Sequence, residues 1–170
     1  MQAMAPSPRL ATLERLLETE RELLETLLFK LTQARLILAA NEVRFVSQSL
    51  QEVQMAMDDI REAEAARSRA VTALAEDLGV PASQITLEYL AAQGPEPTRP
   101  RFSELRYRFL DLTQEIEKVS AENQRLAAAG LDAIRGTLSM LYDVTDEGVT
   151  YDRQGRLSQG PPPMRLDRPL

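Results

Sequence analysis

Leu10, Leu13, Leu17, Leu24, Leu27, Leu31, Ala34 and Leu38 recur in three- and four-residue steps, and Glu20 is the one polar interruption. That spacing lays apolar side chains along one face of an amphipathic, coiled-coil-like α-helix. A second series runs Val43, Val46, Leu50, Val53, Met57, Ile60, Glu64, Arg67, Val71, Leu74 and Leu78. Neither Pro nor Gly occurs from Leu10 to Leu78, so nothing in the composition breaks a helix there.

The two series are joined by a five-residue step from Leu38 to Val43. One continuous helix, about 100 Å long, would need a stutter at that point. A turn in "AANE" instead lets each half keep its own seam. Asn41 suits it, since Asn tolerates the left-handed conformation and caps helix N-termini. The pattern therefore favours two antiparallel helices, about 10–39 and 42–78, each some 45–55 Å long at about 1.5 Å per residue.

The second helix stops at "LGVPAS", with Gly79 placed as a C-terminal cap and Pro81 just beyond. Ser83 is placed to cap a short helix over about 84–92. "GPEPTRPR" then reads as an extended linker, because three prolines in close succession oppose helix. From Phe102, the 3/4 spacing resumes through Leu105, Phe109, Leu112, Ile116, Val119, Asn123, Leu126, Gly130, Ala133, Thr137 and Met140. Ile134, Leu138 and Leu141 lie beside that seam. The expected architecture is all-α: an antiparallel bundle of three long helices (the third about 102–142), one short connecting helix, and an extended C-terminal tail. Residues 1–9 read as a flexible N-terminus, 10–142 as the helical domain and 143–170 as a polar, mobile tail.

Composition narrows the chemistry. The 170 residues include no His and no Cys, which removes the commonest general base, thiolate nucleophiles and the commonest metal ligands. No enzyme, cofactor or metal is expected, and no small-molecule substrate. "DVTDEGVTYDRQ" superficially matches a calcium loop from Asp143. Thr145 and Glu147, however, replace the usual Asp or Asn, and Gln154 replaces the bidentate Glu. A net charge of −6, with Lys30 and Lys118 the only lysines, argues against nucleic acid. There is no signal-peptide pattern and no apolar run near the roughly 18–20 residues of a membrane span, so a cytoplasmic protein is expected.

Several positions invite more than one reading. Gly130 and Gly136 fall inside the third helix, where each costs about 1 kcal/mol relative to Ala. Close packing against the first two helices would offset that cost. So would a shallow face for a partner helix, flanked by Leu131, Ile134, Leu138 and Leu141. Asn123 at a seam position reads as a register-fixing polar residue. Glu64 and Arg67, three apart, are placed to pair with each other. Met55, Met57 and Met140 read as gap-filling core residues. In "EGVTYDRQGR", Tyr151 either packs back on the third helix or serves as an amphipathic anchor on a mobile segment.

Four stretches carry a family resemblance: "ERELLETLLFKLTQARLILAANEVRF", "REAEAARSRAVTALAEDLGVP", "ENQRLAAAGLDAIRGTLSML" and "TYDRQGR". In this order, with a Tyr-x-x-x-Gly motif after the last long helix, the chain resembles the FlgN family of flagellar export chaperones. One departure is Ser120, where many members carry a second Asn three residues before the position of Asn123. The resemblance implies a cytoplasmic chaperone, monomer or weak dimer, that binds hook-filament junction proteins of the FlgK and FlgL type. It would take their amphipathic terminal helices and deliver them to the export gate of the flagellar type III system. Cargo would then lie on Leu126, Gly130, Leu131, Ile134, Leu138 and Leu141, with Tyr151 touching cargo or gate. A structural coiled-coil protein, self-associating through the same seam without a client, is the alternative.

Overall fold

The first long helix, α1, spans Pro8–Ala39 and begins where its N-terminal amides find partners. Ser7 Oγ accepts from the Leu10 amide at 3.1 Å, and Pro8 occupies the first turn, where a missing N–H costs nothing. The computed structural model describes the backbone of residues 7–146, 150–151 and 157–158, and side-chain surroundings through residue 140. At the far end of α1 the chain turns on Asn41, which has φ 53° and is the one non-glycine residue with positive φ among the described residues. The Glu42 amide donates back to Ile37 O at 3.0 Å, satisfying a terminal carbonyl of α1. Helix α2 follows over Val43–Leu78, so the five-residue step is a turn and not a stutter.

Helices α1 and α2 run antiparallel, as their cross-pairs show. Arg9 meets Asp77 at 3.1 Å, Arg67 meets Glu20 at 2.6 Å and Lys30 meets Glu52 at 2.7 Å. Gly79, at φ 65° and ψ 31°, ends α2. The amides of Gly79 and Val80 return to Glu76 O and Ala75 O, which is the hydrogen-bond pair of a Schellman motif.

A 3-10 turn, Ala82–Gln84, leads to the short helix α3, Leu87–Gln93. Its cap is Thr86, whose hydroxyl accepts from the Tyr89 amide at 3.0 Å, and not Ser83. The proline segment also differs from expectation. It forms a turn in which the Thr98 and Arg99 amides both donate to Pro95 O, and α4 starts at Arg99. Pro100 is tolerated because it falls in the first helical turn, where its ring meets no preceding carbonyl and no N–H is required. Helix α4 runs unbroken over Arg99–Asp146. Beyond it Thr150–Tyr151 pairs antiparallel with Leu157–Ser158, a short ladder the sequence pattern did not announce. The chain divides into two compact units, Met1–Leu126 and Ala127–Leu170, with the boundary inside α4.

Within the first unit, α4 follows α1 in the parallel sense. Arg101 reaches Glu14 at 2.9 Å, Arg108 reaches Glu25 at 3.3 Å and Arg35 reaches Glu122 at 2.8 Å. Asn123 Nδ2 donates to Leu31 O at 2.9 Å. Asn123 therefore binds a backbone carbonyl of α1, one turn from the Arg35–Glu122 pair. Two apolar clusters fill this unit. One holds Leu10, Leu13, Leu17, Leu74, Ala75, Ile85, Leu90, Phe102 and Leu105. The other holds Leu27, Ala56 and Ile60, with Leu23, Leu24, Leu31, Val53 and Ile116 against them. Between them lies the Glu20–Arg67 pair, so Arg67 finds its partner across the hairpin and not in Glu64.

The seam of α2 is the main correction. Ser49, Ala56 and Ile60 face inward, while Val43, Leu50 and Met57, expected inside, are exposed. Large Leu27 of α1 packs against small Ala56, which brings the helices close and turns the larger neighbours outward. Met55 and Met140 are exposed as well, so none of the three named methionines fills a gap in the core.

Candidate functional site

The sequence "RLAAAGLDAIRG" is rich in Ala and Leu, which favour helix enough to carry α4 through two glycines. On this helix Thr137 Oγ1 donates back to Ala133 O at 3.0 Å. Asp132 and Arg135, both well exposed, approach to 3.7 Å on its surface. What sets this stretch apart is its apolar face. Leu131, Ile134 and Leu138 are each about half exposed, at 56%, 53% and 48%. Their 3/4 spacing puts them on one side of the helix.

Among the expected cargo-facing residues, Leu126 and Gly130 are half-buried. Leu131, Ile134 and Leu138 share the exposed face. The side chain of Leu141, next in the same repeat, lies outside the described residues, as does that of Tyr151. A Cβ built on Gly130 or on Gly136 would meet no atom within 4 Å. The two glycines leave the helix surface thinned to bare backbone at two points beside the apolar face.

The rest of the described chain offers little enclosed chemistry. Four cavities lined by described residues are small, about 200 to 270 Å³, and open. Among the described residues, no group of acidic side chains is disposed to hold a metal ion, and no helix is long and apolar enough to cross a membrane. Where carboxylates depart from ordinary acidity, the cause is helix pairing. Burial pushes Glu20 up, against the charge of Arg67 and helped by that of Glu64. Lys30 holds Glu52 down, and Arg35 holds Glu122 down.

Sequence reasoning missed a second exposed set on the hairpin: Phe29 and Leu36 on α1, with Val43, Phe45, Leu50 and Met57 on α2. The available signal was a competing stripe one residue earlier, through Ser49 and Ala56, which a search for large apolar residues passes over.

Comparison with known proteins places this chain in a family. The chain matches the family described as FlgN protein over residues 3–159. No curated protein and no solved structure matches it. A match covering nearly the whole chain, on a helical protein with an exposed apolar helix face, settles the relationship: the chain belongs to the FlgN family of flagellar export chaperones.

Proposed function

We propose that this protein captures an amphipathic terminal helix of hook-filament junction proteins of the FlgK and FlgL type, in the cytoplasm, and delivers it to the flagellar export gate. The observation that carries the reading is the apolar face of Leu131, Ile134 and Leu138, exposed on a helix whose neighbouring glycines have open space around them. A cargo helix laid on that face buries its own apolar stripe and approaches the α4 backbone closely at Gly130 and Gly136. Leu126 and Leu141 extend the contact at either end, and Tyr151 touches cargo or gate. The three long helices act as a coiled-coil-like bundle, and the residues after Asp146 act as the tail. No bond is made or broken in the cycle, so no catalytic residue, metal or cofactor is required.

The test is co-purification with terminal-helix fragments of FlgK and FlgL. Ile134→Asp and Leu138→Asp should each abolish capture while leaving thermal unfolding unchanged, since both side chains are exposed. Wild-type capture by both folded variants places the site elsewhere. Truncation after Asp143 assigns the tail: lost capture at unchanged stability supports a contact role for Tyr151, and a lowered Tm supports a structural one.

A further inference from the structure

Within the first unit, α4 lies on one side of the α1–α2 hairpin, and the groove on the other side is open. On α1, Leu31 O accepts from Asn123 and Arg35 pairs with Glu122, both of α4. Gln33 lies about 160° around the helix from each of them. With Ile37 one turn on, and Phe45, Gln48, Ser49 and Glu52 of α2, it lines an open cavity of about 200 Å³. Phe29 and Leu36, four before and three after Gln33, share its side of α1. Phe29, Leu36 and Phe45 are 57%, 60% and 43% exposed, an apolar cluster of the kind that marks interaction sites.

The polar groups of the groove say what fits it. Lys30 Nζ donates to Glu52 Oε2 at 2.7 Å, Gln48 Nε2 reaches Glu52 Oε1 at 3.4 Å, and Arg44 pairs with Glu42 at 3.1 Å. Lys30 holds the Glu52 carboxyl below its ordinary pKa, so that pair stays ionised and matched. The same two cations lie over aromatic rings, Lys30 5.7 Å from the centre of Phe29 and Arg44 4.7 Å from that of Phe45. Gln33 is the exception, because its Oε1 is buried without a hydrogen-bond partner. Such an orphaned acceptor is costly and rare. The last torsion of a Gln side chain is soft, so the amide can turn either its oxygen or its NH₂ to a chain lying in the groove. Matched charges leave an acidic or a basic segment nothing to recognise. An apolar helix face that carries one amide of its own fits, since two side-chain amides donate and accept reciprocally and fix the register of a seam.

We propose that this hairpin groove takes a second amphipathic helix of the client, one with an Asn or Gln among its apolar residues. A large apolar side chain fills the cavity beside Ile37 and Phe45, and the neighbouring amide pairs with Gln33. The assignment rests on the client-capture reading of α4 and adds a second contact to it. The two surfaces differ in chemistry: Leu131, Ile134 and Leu138 are purely aliphatic, whereas the groove is aromatic with an amide. Each is small beside the roughly 1,200 Å² of a specific interface, so each holds its helix weakly. When both helices belong to one client chain, the second contact becomes intramolecular and strengthens capture without high affinity at either surface. That arrangement suits a cargo that must be held and then let go.

The test uses the full chain and an intact client of the FlgK or FlgL type. Phe45→Asp and Leu36→Lys should each weaken capture about tenfold at unchanged Tm, since both side chains are exposed and each new charge suits its helix end. Gln33→Leu should keep or raise Tm, because it removes an orphaned acceptor, and should weaken capture several-fold. Leu110→Asp, similarly exposed on α4, should leave capture unchanged. A photo-cross-linking residue at position 45 should join a client segment distinct from the one joined from position 131. Wild-type capture by Phe45→Asp and Leu36→Lys overturns the proposal, as does an absent cross-link at 45 or the same client segment at both positions. If Ile134→Asp loses capture while the hairpin variants keep it, the client reading of α4 stands and the second helix alone is struck. If Phe45→Asp changes only the sedimentation of the chain itself, the groove belongs to a second copy and the proposal fails.

Discussion

Glu20 of α1 and Arg67 of α2 approach to 2.6 Å between the two apolar clusters of the hairpin, with Glu20 only 5% exposed and the Arg67 side chain reaching solvent. The asymmetry decides which partner matters. Burial raises the Glu20 pKa, and the charge of Arg67 offsets this only in part. A raised carboxylate pKa means that the folded state holds the proton more tightly than the unfolded chain. Its contribution is fully favourable below the unfolded value near 4.5 and is lost as pH rises through the folded one. Arg67→Met leaves a buried carboxylate without its counter-charge and should cost about 2–3 kcal/mol at pH 7, shrinking as Glu20 takes up a proton. Glu20→Gln should be at least as stable as wild type at pH 7 and lose that advantage as pH falls toward 4.5. Urea unfolding across this range checks both. A pH-independent loss in Arg67→Met would show that packing and not charge is at stake.

The polar link between α1 and α4 yields a second expectation. Asn123 Nδ2 donates to Leu31 O, but Asn123 Oδ1 is buried without a partner. Removing the side chain forfeits one hydrogen bond and relieves one orphaned acceptor, so Asn123→Ala should cost only about 1 kcal/mol. Asn123→Leu, which adds apolar contact, should be close to neutral in stability. Its effect should show in register: a buried polar residue penalises shifted pairings that an apolar one permits. Amide exchange along α4 checks this, with Asn123→Leu expected to exchange faster at residues 116–126 at equal global stability.

Two turn positions were legible in the sequence because their backbone admits few residues. Asn41 and Gly79 both occupy the left-handed region, and no packing argument was needed to place them. Asn41→Val should therefore cost about 1–2 kcal/mol and Gly79→Ala about 1 kcal/mol, while Asn41→Gly should change little. A Cβ at Gly79 would meet no atom within 4 Å, so its cost is conformational alone. Urea midpoints measure all three, and a neutral Gly79→Ala would contradict the left-handed assignment.

The seam of α2 was not legible for the opposite reason. Periodicity locates an apolar face but cannot choose between adjacent stripes when one is large and the other small. Leu50 and Met57 outweigh Ser49 and Ala56 in any count of hydrophobicity, yet close approach to α1 at Leu27 selects the small pair. Arg67 was likewise assigned to a neighbour on its own helix because its true partner is 47 positions away in sequence. In α4 the same periodicity carried the inward seam from Phe102 to Val119 correctly. It could not show that Leu131, Ile134 and Leu138 are exposed, because the pattern of a buried helix and that of a helix awaiting a partner are the same.

Gly130 and Gly136 allow those two situations to be told apart in solution. Neither has a positive φ, and a Cβ at either meets nothing within 4 Å. Each substitution to Ala should therefore stabilise α4 by up to about 1 kcal/mol, seen as a higher Tm or slower amide exchange over 127–140. If the glycines serve only the free protein, this gain should leave client capture intact. If they admit a client backbone, an added methyl at the contact pushes the two helices apart, and capture should weaken several-fold even though the chaperone is more stable. The two effects have opposite signs, so they separate cleanly. Weaker capture with higher stability places the client against the glycine positions, while stronger stability with unchanged capture shows that the client rests on Leu131, Ile134 and Leu138 alone.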